Sequence, residues 1–308
     1  MAQFVSSDVI RFAFSRTMSE MYRREVPLYG DLIELVTEVN RTTLARDPFL
    51  RRRLAEADEL TRVDEERHGA IRVGSSAELA GLRRVFAVMG MRPVGYYDLA
   101  AAGVPVHSTA FRPIGREDLA QSPFRVFTSL LRLELIDDAD LRACAFEILA
   151  CRNIFSDRVR ELLAVFERAG GLTEAEAEAF VAEVLEIFRW RSTAIVGRET
   201  YGRLHNAHRL VADIVSFRGP HINHLTPRTL DIDAAQAAMQ ERGLQAKAVI
   251  EGPPRRAAPI LLRQTSFKAI EEPISFPRAD GCEPGAHTAR FGEIEQRGAA
   301  LTKEGRRL

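Results

Sequence analysis

Two histidines and a pair of glutamates have the residue types and spacing of a metal centre. His68 lies four residues before Arg72, His224 ends the segment His-Ile-Asn-His, and Glu293 and Glu295 alternate in Gly-Glu-Ile-Glu-Gln-Arg-Gly. A mononuclear Fe(II) centre takes two imidazoles and one carboxylate and keeps positions open for a substrate and oxygen. The sequence therefore predicts Fe(II) as a cofactor, bound by one histidine from each of two strands and a carboxylate from a third.

The ligand positions have alternatives among neighbouring residues. His221 and His224 fall on opposite faces of a strand, so only one of them can point into a cavity. Glu293 and Glu295 fall on the same face as Arg297, and alternation alone does not decide between the two carboxylates. Charged residues that face inward are costly to bury without a partner, and a metal ion is such a partner.

Arg72 and two polar residues of a later strand are candidates for substrate binding. Arg72 lies on the same strand face as His68, at a distance of about 13 Å along the strand. Its guanidinium could bind a substrate carboxylate through two hydrogen bonds while a metal holds the other end. Gln264 and Ser266 form a polar break in an apolar strand and could line the pocket. An outer salt bridge and edge-strand polarity are the alternative explanations of these residues.

An internal repeat places the two histidines in equivalent positions. His68 leads a strand, which is followed by a helix and by a second strand that begins near Gly90. His224 leads the same order of elements, with the second strand over 243–249. Both copies have an arginine four residues after the histidine. Two open units of this kind can pair their sheets around one cavity, and the repeat register favours His224 over His221.

Helical periodicity fills much of the remaining chain. Apolar residues at helical spacing predict helices within 8–60 and within 138–217, and a capping-box pattern at Thr173 opens one of them. Further strands are predicted over 93–99, 105–111 and 124–135. The combination of helical segments with strand–helix–strand units predicts the α+β class.

Composition excludes several classes of protein. Lys+Arg and Asp+Glu both total 43, so no net charge attracts nucleic acid or an anionic membrane. The sequence has no basic cluster with interleaved aromatic residues, and its apolar stretches are shorter than the roughly 18 residues of a membrane span. Its three cysteines form no C-x-x-C pair and its start has no leader-like pattern. We expect a cytoplasmic protein without nucleic-acid or membrane partners, and the sequence is compatible with a homo-oligomer.

Four segments combine the residues above into longer motifs, and together they resemble the 2-oxoadipate dioxygenase/decarboxylase family. The resemblance extends from about Asp8 to Leu301. The family belongs to the vicinal oxygen chelate superfamily of glyoxalase- and dioxygenase-like proteins. Its paired βαβββ modules imply an α+β fold with a mixed sheet around a metal cavity. The motifs are Arg67-His-Gly-Ala-Ile-Arg72, Gly219-Pro-His-Ile-Asn-His-Leu-Thr-Pro-Arg228, Leu262-Arg-Gln-Thr-Ser-Phe-Lys268 and Phe291-Gly-Glu-Ile-Glu-Gln-Arg-Gly298.

The resemblance also implies a division of the chain into four parts. Residues 1–62 would form a helical segment packed on the core, and residues 63–136 the first βαβββ-like module. Residues 137–217 would form a helical insertion. Residues 218–308 would form the second module, which carries two of the three metal ligands.

The ligands implied by the resemblance are His68, His224 and Glu293, with Arg72 on the distal carboxylate of the substrate. The Glu-Ile-Glu-Gln-Arg stretch is also similar to a strand of 4-hydroxyphenylpyruvate dioxygenase in which the first glutamate binds iron, which favours Glu293 over Glu295. The implied reaction converts 2-oxoadipate and O₂ to 2-hydroxyglutarate and CO₂, as in lysine catabolism. Family members extend further beyond this strand, so a close 2-oxo acid is the alternative substrate.

Two other functions fit parts of the same pattern. A redox-neutral lyase, isomerase or hydrolase on this scaffold would use a divalent metal as a Lewis acid, often with a fourth protein ligand, and only three strong candidates occur here. A non-catalytic protein that binds a small acid would be indicated by the loss of Arg72 or of a metal ligand. All four residues are present, so oxygen chemistry is favoured.

Overall fold

The computed structural model describes residues 3–305 and 307, apart from the side chains of residues 66 and 67. The chain divides into two compact units, and each unit is built from three segments of sequence. The first unit comprises Met1–Met21, Gly69–Asn223 and Ile270–Ala289, and the second comprises Tyr22–His68, His224–Ala269 and Arg290–Leu308.

Runs of helices and runs of strands are largely separated along the chain, as in the α+β class, which confirms the predicted class. None of the described helices is both long and apolar enough to cross a membrane. In chain order the elements are α1 (Ser7–Glu25), α2 (Pro27–Arg46), α3 (Pro48–Glu56), β1 (Glu66–Val73), α4 (Ser76–Val88), β2 (Arg92–Asp98), β3 (Val106–Arg112), α5 (Arg116–Gln121), β4 (Arg125–Leu131), α6 (Ala139–Ala150), α7 (Asp157–Ala169), α8 (Glu174–Phe188), α9 (Arg198–Ala207), α10 (Arg209–Val215), β5 (Ile222–Pro227), α11 (Ile232–Glu241), β6 (Leu262–Ser266), β7 (Glu271–Arg278), β8 (Gly281–Thr288) and β9 (Glu293–Arg297).

The first unit contains most of a five-stranded sheet whose strand order is β2-β3-β4-β1-β5. Strands β2, β3 and β4 are antiparallel neighbours, and β1 lies beside β4. Helix α4 connects β1 to β2, and it begins with a capping box in which Ser75 and Glu78 bond each other's backbone amides. Its buried face carries Leu82, Val85 and Phe86. The order β1-α4-β2-β3-β4 is that of a βαβββ module.

The second unit contains the strands and helices around β9. Strand β9 pairs antiparallel with β6, and Ser266 lies opposite Glu293 in the ladder. On its other side, Glu295 forms a parallel bridge with Arg228, the residue that follows β5. Helix α11 packs against α2 and β6, and its N-cap Asp231 accepts a hydrogen bond from the Ala234 amide. This unit therefore places β9 between β6 and the end of β5.

One strand of the second repeat differs from the prediction. The strand predicted over 243–249 is wrong, because this segment is irregular and retains a single bridge between Ala246 and Phe267. Gly243 has a φ of 74°, which ends α11 in a left-handed turn rather than leading into a strand. The hairpin β7–β8 lies in the first unit. The predicted module boundaries themselves stay predictions.

The core of the first unit contains a group of interlocking aromatic rings. Phe14 is fully buried, and its ring meets Phe188 at 5.3 Å and Phe124 at 6.1 Å in edge-to-face geometry. Both partners are also buried. Helix α1 is therefore attached to α8 and to the segment before β4 through one side chain.

Removal of this ring should destabilise the protein. We expect Phe14→Ala to lower the free energy of unfolding by about 3–5 kcal/mol, because the cavity adds to the lost burial. Phe12→Ala is the matched control on the same helix, since Phe12 is 37% exposed. Urea unfolding followed by circular dichroism measures both variants, and equal losses would contradict the central position of Phe14.

Candidate metal centre

The three predicted ligands lie together in the second unit. Nε2 of His68 is 3.3 Å from Oε2 of Glu293, and Nε2 of His224 is 3.7 Å from the same oxygen. One ligand atom from each residue lies within 4.8 Å of the other two. His68 and Glu293 are buried and His224 is partly buried. The three side chains are therefore close enough to hold one metal ion.

Neutral donors from two neighbouring strands hold the Glu293 carboxylate. The Thr226 hydroxyl, on β5, donates a hydrogen bond of 3.0 Å to Oε2. The Gln264 amide, on β6, donates a second bond of 3.0 Å to the same oxygen. Because a buried carboxylate without donors would be costly, these bonds fix Oε2 toward the two imidazoles.

Aromatic packing orients the His224 ring. The ring lies 4.7 Å from that of Phe291 at an interplanar angle of 35°. It meets the His68 ring edge to face, with 5.8 Å between the centroids. These contacts restrict rotation of the imidazole, as a metal site that must exclude other geometries requires.

Glu295 and Arg297 support the opposite side of His68. Nδ1 of His68 is 3.2 Å from Oε2 of Glu295, which is 2% exposed. The Arg297 guanidinium donates from Nε to the other oxygen of Glu295 at 2.6 Å. A carboxylate at the second ring nitrogen of a histidine fixes the orientation of the ring and raises its basicity as a ligand. Glu295 therefore contacts His68, one of the candidate metal ligands, and the Arg297 guanidinium compensates the charge of Glu295.

The pKa values of two of the ligands move in opposite directions. Burial lowers the pKa of His68, but its contacts with Glu293 and Glu295 outweigh burial and raise the pKa from 6.5 to about 9. Burial raises the pKa of Glu293, but His224, His68 and Thr226 outweigh burial and lower the pKa from 4.5 to about 2. At neutral pH the metal-free protein therefore has a protonated His68 and an ionised Glu293.

The donor set fits iron by its chemistry. Two imidazole nitrogens and one carboxylate oxygen form the combination that non-haem Fe(II) enzymes use, and three protein ligands leave positions for a substrate. Within the described part of the chain, this group contains no cysteine and no fourth ligand. The three residues are thus a possible site for one divalent metal ion with positions left open for a substrate.

The other predicted site residues occupy two different surroundings. Gln264 contacts the ligand Glu293 directly, and Ser266 is buried at the ladder position opposite it. Arg72 lies in the first unit, where its Nη1 donates to Oδ2 of Asp213 at 2.6 Å. The structure thus brings Gln264 and Ser266 together with the ligands and gives Arg72 an acidic partner.

Asp213 and His287, two residues near Arg72, were not identified as site residues from the sequence. The loop-like sequence around His287 predicts a solvated side chain, and this prediction is wrong, because His287 is 3% exposed and its Nε2 lies 2.9 Å from Oδ1 of Asp213. It lies on β8, opposite Glu272 of β7 in the hairpin ladder. The alternation of Ile274 and Phe276 was the signal for this hairpin. His221 is buried and hydrogen-bonded, as expected for the histidine that is not a ligand.

The fold is similar to that of a solved glyoxalase superfamily protein. A glyoxalase superfamily protein from Ralstonia eutropha superposes with a TM-score of 0.63 at 20% identity, covering 87% of this chain and 82% of that structure. At this identity the similarity concerns the fold alone. It confirms the predicted glyoxalase-like fold class.

The chain belongs to the 2-oxoadipate dioxygenase/decarboxylase family, whose sequence profile matches residues 14–308. It is 61% identical over 305 residues to the 2-oxoadipate dioxygenase/decarboxylase of Pseudomonas putida, covering 99% of this chain and 66% of that protein. It also superposes on the hydroxyglutarate synthase of Pseudomonas putida in complex with 2-oxoadipate, with a TM-score of 0.96 at 59% identity, covering 100% of this chain and 68% of that one. The chain thus spans about two thirds of the length of these relatives, and the family is one of oxidoreductases.

The raised pKa of His68 should make metal affinity depend on pH. A metal ion must displace the proton from this imidazole, so apparent affinity should rise up to about tenfold per pH unit and level off near pH 9. An ordinary histidine would level off near pH 6.5. Competition between the protein and a Co(II) indicator from pH 6.5 to 8.5 measures the slope. A flat profile above pH 7.5 would contradict the prediction.

The two carboxylates of β9 should differ in their effect on metal binding. We expect Glu293→Gln to abolish most of the Co(II) affinity, and Glu295→Gln to weaken it by about 10–100-fold, because Glu295 acts only through His68. Titration at pH 8.5 reduces the competition from the His68 proton relative to neutral pH. Glu251→Gln is a control in the same unit, since Glu251 is exposed and pairs with Lys247. A larger effect of Glu295→Gln would reverse the assignment of the ligand.

Proposed function

We propose that this protein catalyses the Fe(II)-dependent oxidative decarboxylation and hydroxylation of 2-oxoadipate, or a close 2-oxo acid, with O₂. The products are 2-hydroxyglutarate and CO₂, which together contain all atoms of the acid and of O₂. The proposal rests on the grouping of His68, His224 and Glu293 in a chain that is 61% identical to a relative named 2-oxoadipate dioxygenase/decarboxylase. The bound iron supplies Lewis acidity and redox chemistry.

The residues of the second unit contribute by fixing the ligands. Thr226 and Gln264 hold Glu293, and Glu295 holds His68, so little reorganisation is needed when metal and substrate bind. We assign Gln264 and Ser266 also to the wall of the substrate pocket, because both lie on β6 opposite the ligand strand β9. Their donors would then contact the 2-oxo acid end of the substrate.

We assign Arg72 to the distal carboxylate of the substrate. His68 and Arg72 are four residues apart in β1, which corresponds to about 13 Å of extended strand. A guanidinium binds a carboxylate with two parallel hydrogen bonds and thereby fixes which carbon of the substrate is nearest the metal.

The three cysteines that the structure describes are unpaired, which supports a reducing, cytoplasmic setting for this reaction.

The reaction can be tested by loading the protein with Fe(II) under anaerobic conditions and adding 2-oxoadipate and O₂. We expect one CO₂ released for each O₂ consumed, with 2-hydroxyglutarate as the product. His224→Ala and Glu293→Ala proteins that remain folded should lose both activities, because each lacks a metal ligand. Glu251→Gln should retain them.

The alternatives give different results in the same assay. Metal binding without O₂ consumption, on 2-oxoadipate and on neighbouring 2-oxo acids, would reject the oxidative reaction in favour of a redox-neutral metal enzyme. Tight binding of 2-oxoadipate without any turnover would indicate a protein that only binds small acids. Calorimetric titration of the metal-loaded, oxygen-free protein separates these two outcomes.

A further inference from the structure

A buried polar cluster in the first unit surrounds the carboxylate of Asp213. Its Oδ2 accepts hydrogen bonds from Nη1 of Arg72 at 2.6 Å and from the Asn223 amide at 3.3 Å. Its Oδ1 lies 2.9 Å from Nε2 of His287 and 3.3 Å from Nε2 of His221. The Asp213 side chain is 3% exposed. Both carboxylate oxygens are therefore occupied, and the group is fixed in one orientation.

Asp213 stays ionised in this setting. Burial raises its pKa, but the charges of His221 and Arg72 and the hydrogen bonds from His221 and His287 outweigh burial and hold the pKa well below its usual range. The ion pair with Arg72 is consequently a pair of full charges. Such a pair is costly to bury and is retained where it specifies a geometry.

Further residues immobilise the histidines of the cluster. The Tyr201 hydroxyl lies 2.8 Å from Nδ1 of His287, so the ring can accept from Tyr201 at one nitrogen and donate to Asp213 from the other. The Trp190 ring lies parallel to His287 at 5.8 Å and meets His221 edge to face at 4.7 Å. Asp213 is thus held by groups that are themselves packed.

Arg72 keeps one edge of its guanidinium available. Only Nη1 is used by Asp213, and within the described part of the chain Nε and Nη2 make no hydrogen bond. These two nitrogens form the side-on fork that matches a carboxylate. The Arg72 side chain is 19% exposed, whereas Asp213 is enclosed. The Nε–Nη2 edge of Arg72 can therefore donate to a bound molecule, whereas the Asp213 side of the pair is enclosed by protein.

We propose that Asp213 is a positioning residue for substrate selection: it holds Nη1 of Arg72 so that the Nε–Nη2 edge receives the terminal carboxylate of the 2-oxo acid. The inference rests on the proposed function, which places that carboxylate on Arg72. Asp213 does not touch the substrate. Its contribution is that a flexible arginine is oriented before the substrate binds, so that less rotamer freedom is lost on binding.

The test compares two substrates of equal length on the Fe(II)-loaded enzyme: 2-oxoadipate, and 2-oxohexanoate, which has a methyl group in place of the terminal carboxylate. The ratio of their kcat/KM values measures recognition of that carboxylate. We expect Asp213→Asn to lower this ratio about tenfold, through a higher KM for 2-oxoadipate, with turnover of 2-oxohexanoate retained. Tyr201→Phe should act in the same direction and more weakly, because it leaves Asp213 in place.

Two reference variants make the result specific. Arg72→Met should abolish the preference for 2-oxoadipate, and if it does not, the assigned role of Arg72 fails regardless of Asp213. Glu78→Gln weakens another buried pair of the first unit, Glu78 with Arg152 at 2.7 Å, and should lower the melting temperature without changing the ratio. This control separates loss of stability from loss of recognition.

If Asp213 acted only through its charge, Asp213→Asn would change the kcat/KM ratio in the opposite direction. Loss of a negative charge beside Arg72 would by itself strengthen the attraction of a dicarboxylate, so an unchanged or higher ratio in Asp213→Asn would overturn the proposal. Calorimetric affinities of the two acids for the oxygen-free enzyme must show the same ordering. If the Asp213→Asn protein does not fold, the kcat/KM ratio of the Tyr201→Phe protein is the test. An unchanged ratio in that variant would reject the positioning role of Asp213.

Discussion

A buried carboxylate in the second unit is the constraint on which the centre depends. Glu293 stays ionised at low exposure, and an isolated charge in such surroundings would be destabilising by several kcal/mol. Donors from β5 and β6 offset this cost, and they reach Glu293 only in the observed strand register. A register shift by one residue would turn the carboxylate to the other face of β9. The strand pairing and the centre are therefore specified together.

Strand β1 contributes to both units, and its residues illustrate two ways of stabilising a buried charge. At its start His68 lies between two carboxylates, which raise its pKa. Four residues later Arg72 is paired with one carboxylate, and that carboxylate is fixed by its own neighbours. In the first case the acidic groups create a position that a cation can occupy. In the second, Asp213 uses Nη1 of Arg72, and within the described residues the Nε–Nη2 edge makes no hydrogen bond, which suits an anion.

Local patterns in the sequence were sufficient for a large part of the fold. The capping box at Thr173 starts α8 as predicted, and the first strand–helix–strand unit is present in the expected order. The hairpin β7–β8 was not predicted. Pro273, Pro277 and Gly285 obscure the hairpin β7–β8, because proline and glycine normally argue against a strand, and here the pairing of two adjacent strands overrides them. The burial of His287 follows from that hairpin and could not be predicted without it.

The assignment of one glutamate as the ligand shows where sequence reasoning ends and geometry begins. Alternation puts Glu293 and Glu295 on the same face, and only a resemblance to another family favoured the first. In the structure Glu295 pairs with Arg297 and contacts Nδ1 of His68, so its charge is compensated by a guanidinium. Glu293 faces Nε2 of both histidines, and its other hydrogen bonds from the residues that the structure describes come from the neutral donors Thr226 and Gln264. A divalent cation gains most from a carboxylate whose charge is not already neutralised, and this supports Glu293 as the ligand and Glu295 as the residue that orients His68.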